Sequence, residues 1–279
     1  MITGVLFLTA GYGIRAEPFS LYRPKCLLPW QENTVLGSLA LQLTQLKPEI
    51  VACNASRCPE LIRREMKKYW NGRFELLFEE RPLGTAGTLA RNAELIQGNW
   101  IICNTDFCMD IPLDALVKTY SEKDTGWTVL TGKMPEYGSY RALEFEGEKR
   151  HYTGISVISG EVASAAAEEQ ISGGVFSDLR RAAYKKGISL SQCFTCNRWL
   201  DLGETELFRK HTLEKGSYIH PSAVVEDGAV LQGFYYVGAG CIIRNGGFVR
   251  NSVLLEGSEV GAGCQVEGRV FSGHFCRGK

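Results

Sequence analysis

FLTAGYGIRAEPFSLYRPKCLLPW, residues 7 to 30, is the stretch on which the reading of this chain turns. It extends an apolar run, Val5, Leu6, Phe7 and Leu8, that is too short for a helix and suits a buried strand, and it breaks at Ala10, Gly11 and Gly13. A strand therefore delivers a glycine turn. Glycines there remove side chains that would keep an anion from the backbone N–H groups, and two cations, Arg15 and Lys25, follow before Leu27 and Leu28 resume the apolar pattern. Such a loop suits a polyphosphate; Gly11-Tyr12-Gly13 alone leaves an ordinary tight turn as the alternative.

The order Leu8-Thr9-Ala10-Gly11-Tyr12-Gly13-Ile14-Arg15, then Pro24-Lys25-Cys26-Leu27-Leu28-Pro29, resembles the opening motif of the sugar-1-phosphate nucleotidyltransferases, L-A-A-G-x-G-T-R followed by P-K-x-L-L-P. The resemblance implies that Ala10, Gly11 and Gly13 bind the nucleotide and that Arg15 and Lys25 neutralise its triphosphate. Ile14 departs from it. That family usually has Thr or Ser there, so a hydroxyl near the triphosphate is missing.

At 279 residues the chain holds one large α/β domain and a smaller appendage. Lys plus Arg and Asp plus Glu are equal at 31, which leaves no basic field for nucleic acid and favours a small-molecule partner. No apolar run is long enough to span a bilayer, and the N-terminal run lacks a basic leader and a cleavage site. A cytoplasmic protein with no membrane partner is expected. Its ten cysteines are scattered through apolar segments, which suits reduced, buried thiols; Cys193 and Cys196 form one CxxC with no second pair to complete a zinc site.

Outward from the opening loop, helical spacing over 35–46 and 59–70 alternates with apolar strands at 50–53 and 74–78. This βαβαβ order predicts a Rossmann-like α/β domain, its mainly parallel sheet covered by helices, with ligands at the carboxyl ends of the strands. The third strand runs into Leu83-Gly84-Thr85-Ala86-Gly87, a second glycine turn opening a helix. Small residues at a helix N-terminus let a flat ring approach the backbone, so Gly84, Thr85, Ala86 and Gly87 are candidates for the nucleobase; a plain helix start is the alternative. The L-G-T-A-G string resembles the mannose-1-phosphate guanylyltransferase branch of the family, which implies guanine.

The strand 100–103 ends in Asn104-Thr105-Asp106. A carboxylate at the carboxyl end of a central strand suits Mg²⁺, which one or two carboxylates plus phosphate oxygens typically hold. Asp106 is the first ligand expected; Asp110 and Asp114 better suit a cap on the helix beginning near Leu113. The family usually shows N-G-D, and Thr105 in place of Gly would crowd the nucleotide. Strands follow at 127–131, 140–145 and 152–158. Glu148-Lys149 and Thr153-Gly154-Ile155 are the nearest match to the family's E-K-P and Asn-Gly segments, which implies a sugar-phosphate role for Glu148, Lys149 and Gly154, with a surface turn as the alternative for the first two.

Helices are expected at 161–170, 176–186 and 205–211, and a strand at 188–194. Arg198-Trp199-Leu200-Asp201-Leu202-Gly203-Glu204 resembles the family's W-x-D-x-G-T, with Glu204 for Thr, and implies that Asp201 is the second Mg²⁺ ligand; as a lone aspartate it reads as an N-cap.

Past Gly216 the pattern changes. Ile219, Val225, Leu231, Val237, Ile243 and Val249 recur every six residues, and after a one-residue break Leu254, Val260 and Val266 continue. This rhythm predicts a β-helix of hexapeptide repeats over 215–279, after a catalytic domain over 1–214. The resemblance implies that it is left-handed. Small residues stand four positions later, at Ala223, Ala229, Cys241 and Gly247, and Tyr235 interrupts that column, where a bulge is expected. The last turns of so short a coil need covering, by packing onto the first domain or onto another subunit, and a homo-oligomer through the β-helix is expected.

The whole resemblance implies a Mg²⁺-dependent reaction of nucleoside triphosphate with sugar 1-phosphate, giving a nucleotide sugar and pyrophosphate, with GTP and mannose 1-phosphate first, or a UTP- or dTTP-using relative. A catalytically weakened regulatory or binding subunit is the alternative. The four histidines lie outside these motifs.

Overall fold

The computed structural model describes residues 1–16, 20, 23–138, 140–171, 173 and 178–275. The chain divides into two compact units, Met1–Tyr12 with Leu36–Trp199, and Gly13–Val35 with Leu200–Lys279. The boundary read at 214/215 marks a change in sequence rhythm; the two units are drawn by packing and cut the chain elsewhere.

The first unit is built on an eight-stranded sheet of β1 (Gly4–Leu8), β2 (Ile50–Ala55), β3 (Arg73–Phe78), β4 (Asn99–Asn104), β5 (Gly126–Gly132), β6 (Ala142–Phe145), β7 (Glu148–Ser159) and β8 (Ser189–Phe194). Its order is β8-β5-β7-β4-β1-β2-β3, with β6 beside β7. All neighbours are parallel except those of β7, which runs against β4, β5 and β6. The sheet is mainly parallel, as the βαβαβ order predicts.

The central strands are continuous apolar runs because both of their faces are covered. The helices are α1 (Val35–Leu43), α2 (Pro59–Met66), α3 (Gly84–Arg91), α4 (Leu113–Lys123), α5 (Gly160–Glu168) and α6 (Arg180–Lys185). Ala86 and Leu89 of α3 and Val162, Ala163 and Ala166 of α5 share one core with Trp100, Ile102 and Trp127. Gly4 is required by that core, since a Cβ there would stand 2.5 Å from the Trp100 ring. The helix expected over 35–46 ends at Leu43 and tightens into a 3₁₀ turn, Thr44–Leu46, closed by left-handed Lys47. Phe176, the expected start of α6, lies outside the described residues.

In the second unit, Pro29–Trp30 and Asn33–Thr34 form a two-stranded ribbon, helix α7 spans Thr205–Leu213, and short parallel strands follow in a β-helix. Ile219 lies beside Val237, Val225 beside Ile243 and Leu231 beside Val249, a step of 18 residues. Val237 then lies beside Leu254, Ile243 beside Val260 and Val249 beside Val266, a step of 17. The missing residue is taken up at a bulge, where the register shifts between Gln232 and Tyr235. Asn251, in the left-handed region at φ 47°, accepts the Phe234 N–H there at 3.2 Å. Val237, Ile243, Val249, Leu254, Val260 and Val266 are fully buried, whereas Ile219 and Val225 of the first coil, paired on one side only among the described residues, are 40% and 37% exposed.

None of the nine described cysteines pairs in a disulfide, and six of them are buried. Cys193 is buried and Cys196 exposed. Among the described residues no helix is long and apolar enough to cross a membrane.

Candidate active site

In the first unit β1, β2 and β4 end level with one another, Leu8 lying beside both Asn54 and Asn104. Their carboxyl ends therefore bring together Thr9-Ala10-Gly11-Tyr12, Ser56-Arg57 and Thr105-Asp106. This is the edge at which an α/β sheet presents ligands.

A buried polar network fixes the edge. Asn54 Oδ1 accepts the N–H groups of Thr9 at 2.6 Å and Ala10 at 3.1 Å, and its Nδ2 donates to Glu79 Oε1 and Thr88 Oγ1, both at 3.0 Å. The Thr9 hydroxyl donates to the Asn54 carbonyl. Thr88 Oγ1 donates to Glu79 Oε1 at 2.5 Å, and Glu79 Oε2 accepts the Leu83 N–H at 2.9 Å. Glu79 and Thr88 are wholly buried and Asn54 nearly so. One side-chain relay thus ties the first glycine turn to the start of α3, with buried donors and acceptors satisfied inside it.

The relay changes what the two turns can offer. The Ala10 N–H is consumed by Asn54 and its carbonyl accepts the Ser56 hydroxyl at 2.6 Å, so Ala10 anchors the turn while exposed Gly11 carries its open backbone. At α3, Gly84 is left-handed at φ 72° and a Cβ would stand 2.5 Å from the Gly173 carbonyl oxygen, which also accepts the Ala86 N–H at 3.0 Å. Gly84 is exposed and Thr85 half-buried, whereas Ala86 and Gly87 lie inside.

Asp106 is half-buried just past β4. Burial foremost, and the Asp106 charge second, push the neighbouring Cys103 thiol up, so it stays protonated. Thr105, expected to crowd a nucleotide, instead turns inward: it is 2% exposed and its hydroxyl donates to the Leu8 carbonyl at 2.7 Å. Across from it Gly154 is left-handed at φ 96°, and a Cβ there would lie 3.0 Å from both Asn104 Cβ and the Phe107 ring. Trp199 completes this corner, stacking on Phe107 at 6.2 Å and donating its Nε1–H to the Thr153 carbonyl at 2.9 Å.

Glu148 and Lys149 are not brought to it. They are exposed at the start of β7, after the Glu146-Gly147 turn, and six residues of strand, roughly 20 Å, separate Glu148 from Gly154. The E-K-P likeness there is carried by a hairpin.

The second unit holds Gly13, Arg15, Lys25 and Asp201. Gly13 is left-handed at φ 67°, and a Cβ on it would lie 3.5 Å from the Lys25 side chain, so that glycine and that lysine pack together. Lys25 opens a 3₁₀ turn, Lys25–Leu27, held by buried Cys26 and Leu27. Asp201 is 4% exposed and its Oδ1 accepts the Gly203 N–H at 2.7 Å. It therefore braces a turn two residues on and does not cap α7, whose N-cap is Glu204 without a side-chain bond. Arg15 Nη1 pairs with Glu204 Oε1 at 2.8 Å. Neither Asp110 nor Asp114 caps α4, whose N-cap is Pro112.

Sequence reasoning missed Asn54, Glu79 and Thr88, and also Arg57, whose guanidinium lies 4.5 Å from the Tyr12 ring centroid and adds a cation beside the glycine turn. Polar Asn54 at the end of the otherwise apolar run 50–55 was the one available signal.

Carboxylates at positions 106 and 201 are hard oxygen donors suited to Mg²⁺. Among the described residues no group of three or more His, Cys, Asp or Glu could hold a metal.

No family model matches the sequence. It is 30% identical over 149 residues to the mannose-1-phosphate guanylyltransferase catalytic subunit beta of Danio rerio, and 28% identical over 142 residues to a mannose-1-phosphate guanyltransferase of Aspergillus fumigatus. Over these stretches the chain is similar to mannose-1-phosphate guanylyltransferases. These alignments cover 51% and 48% of the chain, and they span 41% and 39% of those relatives' own length. A Bacillus anthracis structure described as a glucose-1-phosphate thymidylyltransferase, in complex with a sucrose, is similar with a TM-score of 0.62 at 15% identity, covering 76% of this chain and 94% of that one. HddC from Yersinia pseudotuberculosis is similar at 0.61 and 18% identity, over 77% and 99%. At these identities the two structures show the shared fold.

Proposed function

We propose that the chain transfers a nucleotidyl group from a nucleoside triphosphate, GTP first, to a sugar 1-phosphate, mannose 1-phosphate first, releasing pyrophosphate. The observation that carries the proposal is the edge where Gly11, Arg57 and Asp106 meet above the Asn54–Glu79 relay. The guanylyltransferase relatives support the choice of substrates.

The nucleophile is a phosphate oxygen of the sugar phosphate, whose second pKa of about 6 leaves it ionised at neutral pH, so no general base is required. That oxygen attacks the α-phosphorus; the bond from α-phosphorus to the bridging oxygen breaks, and the electron pair leaves on pyrophosphate. The work left to the protein is to offset repulsion between two anions and hold them in line. Arg15 and Lys25 would neutralise the triphosphate and the leaving group. Gly11 and Gly13 would admit phosphate to the backbone, and Gly84 and Thr85 would face the base. Bound Mg²⁺ would supply Lewis-acid charge neutralisation, held by Asp106, with Asp201 as the second carboxylate. Gly154 and its neighbours Asn104 and Trp199 suit the sugar phosphate better than Glu148 and Lys149 do. A catalytic domain over 1–214, a left-handed sense for the coil, homo-oligomerisation through the β-helix and a cytoplasmic location belong to the same reading.

A catalytically weakened subunit is the second reading, favoured by Ile14, an apolar side chain 70% exposed where the resemblance expects a hydroxyl. Pyrophosphate release from GTP and mannose 1-phosphate with Mg²⁺ separates them. Silence with every nucleotide and sugar phosphate tried would leave the subunit reading.

A further inference from the structure

We infer that Glu204 is a specificity-determining residue of the nucleotide site, an internal anion that occupies Arg15 and must be displaced by the phosphates of the incoming ligand. The inference rests on the reading of Arg15 as a triphosphate-binding cation. Its ground is one ion pair. Arg15 Nη1 meets Glu204 Oε1 at 2.8 Å, joining positions 189 residues apart, with side chains 58% and 47% exposed.

Three features make this pair a gate and not a brace. Both side chains are about half exposed, so the pair is weak and screened and can be broken at small cost by a competing anion. Glu204 sits on extended backbone, φ −115° and ψ 141°, at the N-cap of α7 without capping it, so its carboxylate serves no local hydrogen bond there. It also closes the segment whose Asp201 accepts the Gly203 N–H, so the backbone from which Glu204 reaches Arg15 is braced while its side chain stays half exposed.

A guanidinium matches carboxylate and phosphate with the same fork of donors, so the two compete for one face. A triphosphate, with more charge than a mono- or diphosphate, displaces the carboxylate most readily. Glu204 thereby charges the cost of breaking this pair to the ligand that leans on Arg15 most, which narrows the site's preference for triphosphate over diphosphate, and it keeps Arg15 oriented while the site is empty.

Titration calorimetry on the full chain with Mg²⁺, using GTP, GDP and inorganic tripolyphosphate, tests this. Glu204→Gln should tighten GTP and tripolyphosphate by about two- to fivefold and GDP, the weaker competitor, by less, and the difference should shrink as salt is raised. Arg15→Ala should abolish the effect of Glu204→Gln. Glu206→Gln, which removes the same charge two residues away from a pair with Arg209, should not reproduce it. Equal binding by wild type and Glu204→Gln overturns the gate and spares the proposed function, as does equal tightening by Glu206→Gln or tightening that persists without Arg15. Failure of wild type and Glu204→Gln alike to bind any of the three overturns both.

Discussion

Replacing Asn54 by leucine tests the relay beneath the candidate site. The substitution keeps volume close and removes every polar atom from a side chain that is 3% exposed and joins four partners. The N–H groups of Thr9 and Ala10 lose their acceptor, and Glu79 keeps Thr88 and the Leu83 N–H but loses the Asn54 amide. An orphaned buried donor costs about 1–3 kcal/mol, so two amides and a weakened carboxyl give roughly 3–5 kcal/mol. At about 2–4 °C per kcal/mol for a chain of this size, the first calorimetric transition should fall by about 10 °C. Asn54→Asp keeps the acceptor but sets a second carboxyl 3.0 Å from Glu79, so it should destabilise at least as much and recover partly in acid. Calorimetry with GTP titration reads both effects, because the slackened turn also presents Gly11 less rigidly. A fall of under about 2 °C in Asn54→Leu would refute the claim that this relay holds the two glycine turns together.

Gly154→Ala meets Asn104 and Phe107 at 3.0 Å in a left-handed backbone, and should lose about 2–4 kcal/mol by denaturant unfolding. Lys25→Ala and Asp106→Ala should each abolish pyrophosphate release while leaving the thermal transition in place; wild-type rates in either would remove that residue from the mechanism. Glu148→Gln and Lys149→Ala should leave the KM for sugar phosphate unchanged, as befits a hairpin. Burial first, and then the Glu65 charge and hydrogen bond, push Tyr69 from 10.0 up to about 12. Its contribution to stability is complete below pH 10 and is lost as pH rises toward 12, so Tyr69→Phe should flatten that part of the alkaline stability curve.

Much of the fold was legible because it is periodic. The column Ile219, Val225, Leu231, Val237, Ile243 and Val249, with its one-residue slip before Leu254, reappears pair by pair in the strand register, since a coil repeats the same local demand at every step. The alternation of apolar strand and helix likewise fixes a mainly parallel sheet, because each pattern admits one way of burying its apolar face. Glycine at 13 and 84 could be read as opening a turn to a ligand, yet only the coordinates show what a Cβ there, or at Gly154, would strike.

Relations between distant polar residues were not legible. Asn54 reaches Glu79 across 25 residues and Thr9 across 45, and Arg15 reaches Glu204 across 189. Asn54 stands out locally as a polar residue in an apolar run, but nothing local names its partners, since a hydrogen bond requires only that two groups meet and leaves no period in the chain. The inward turn of Thr105, and the strand that separates Glu148 from Gly154, were likewise settled by packing in three dimensions. Sequence alone determined where strands, turns and coils must lie, because hydrophobic burial writes itself into spacing; tertiary structure decided which polar groups are spent inside the protein and which remain for a ligand.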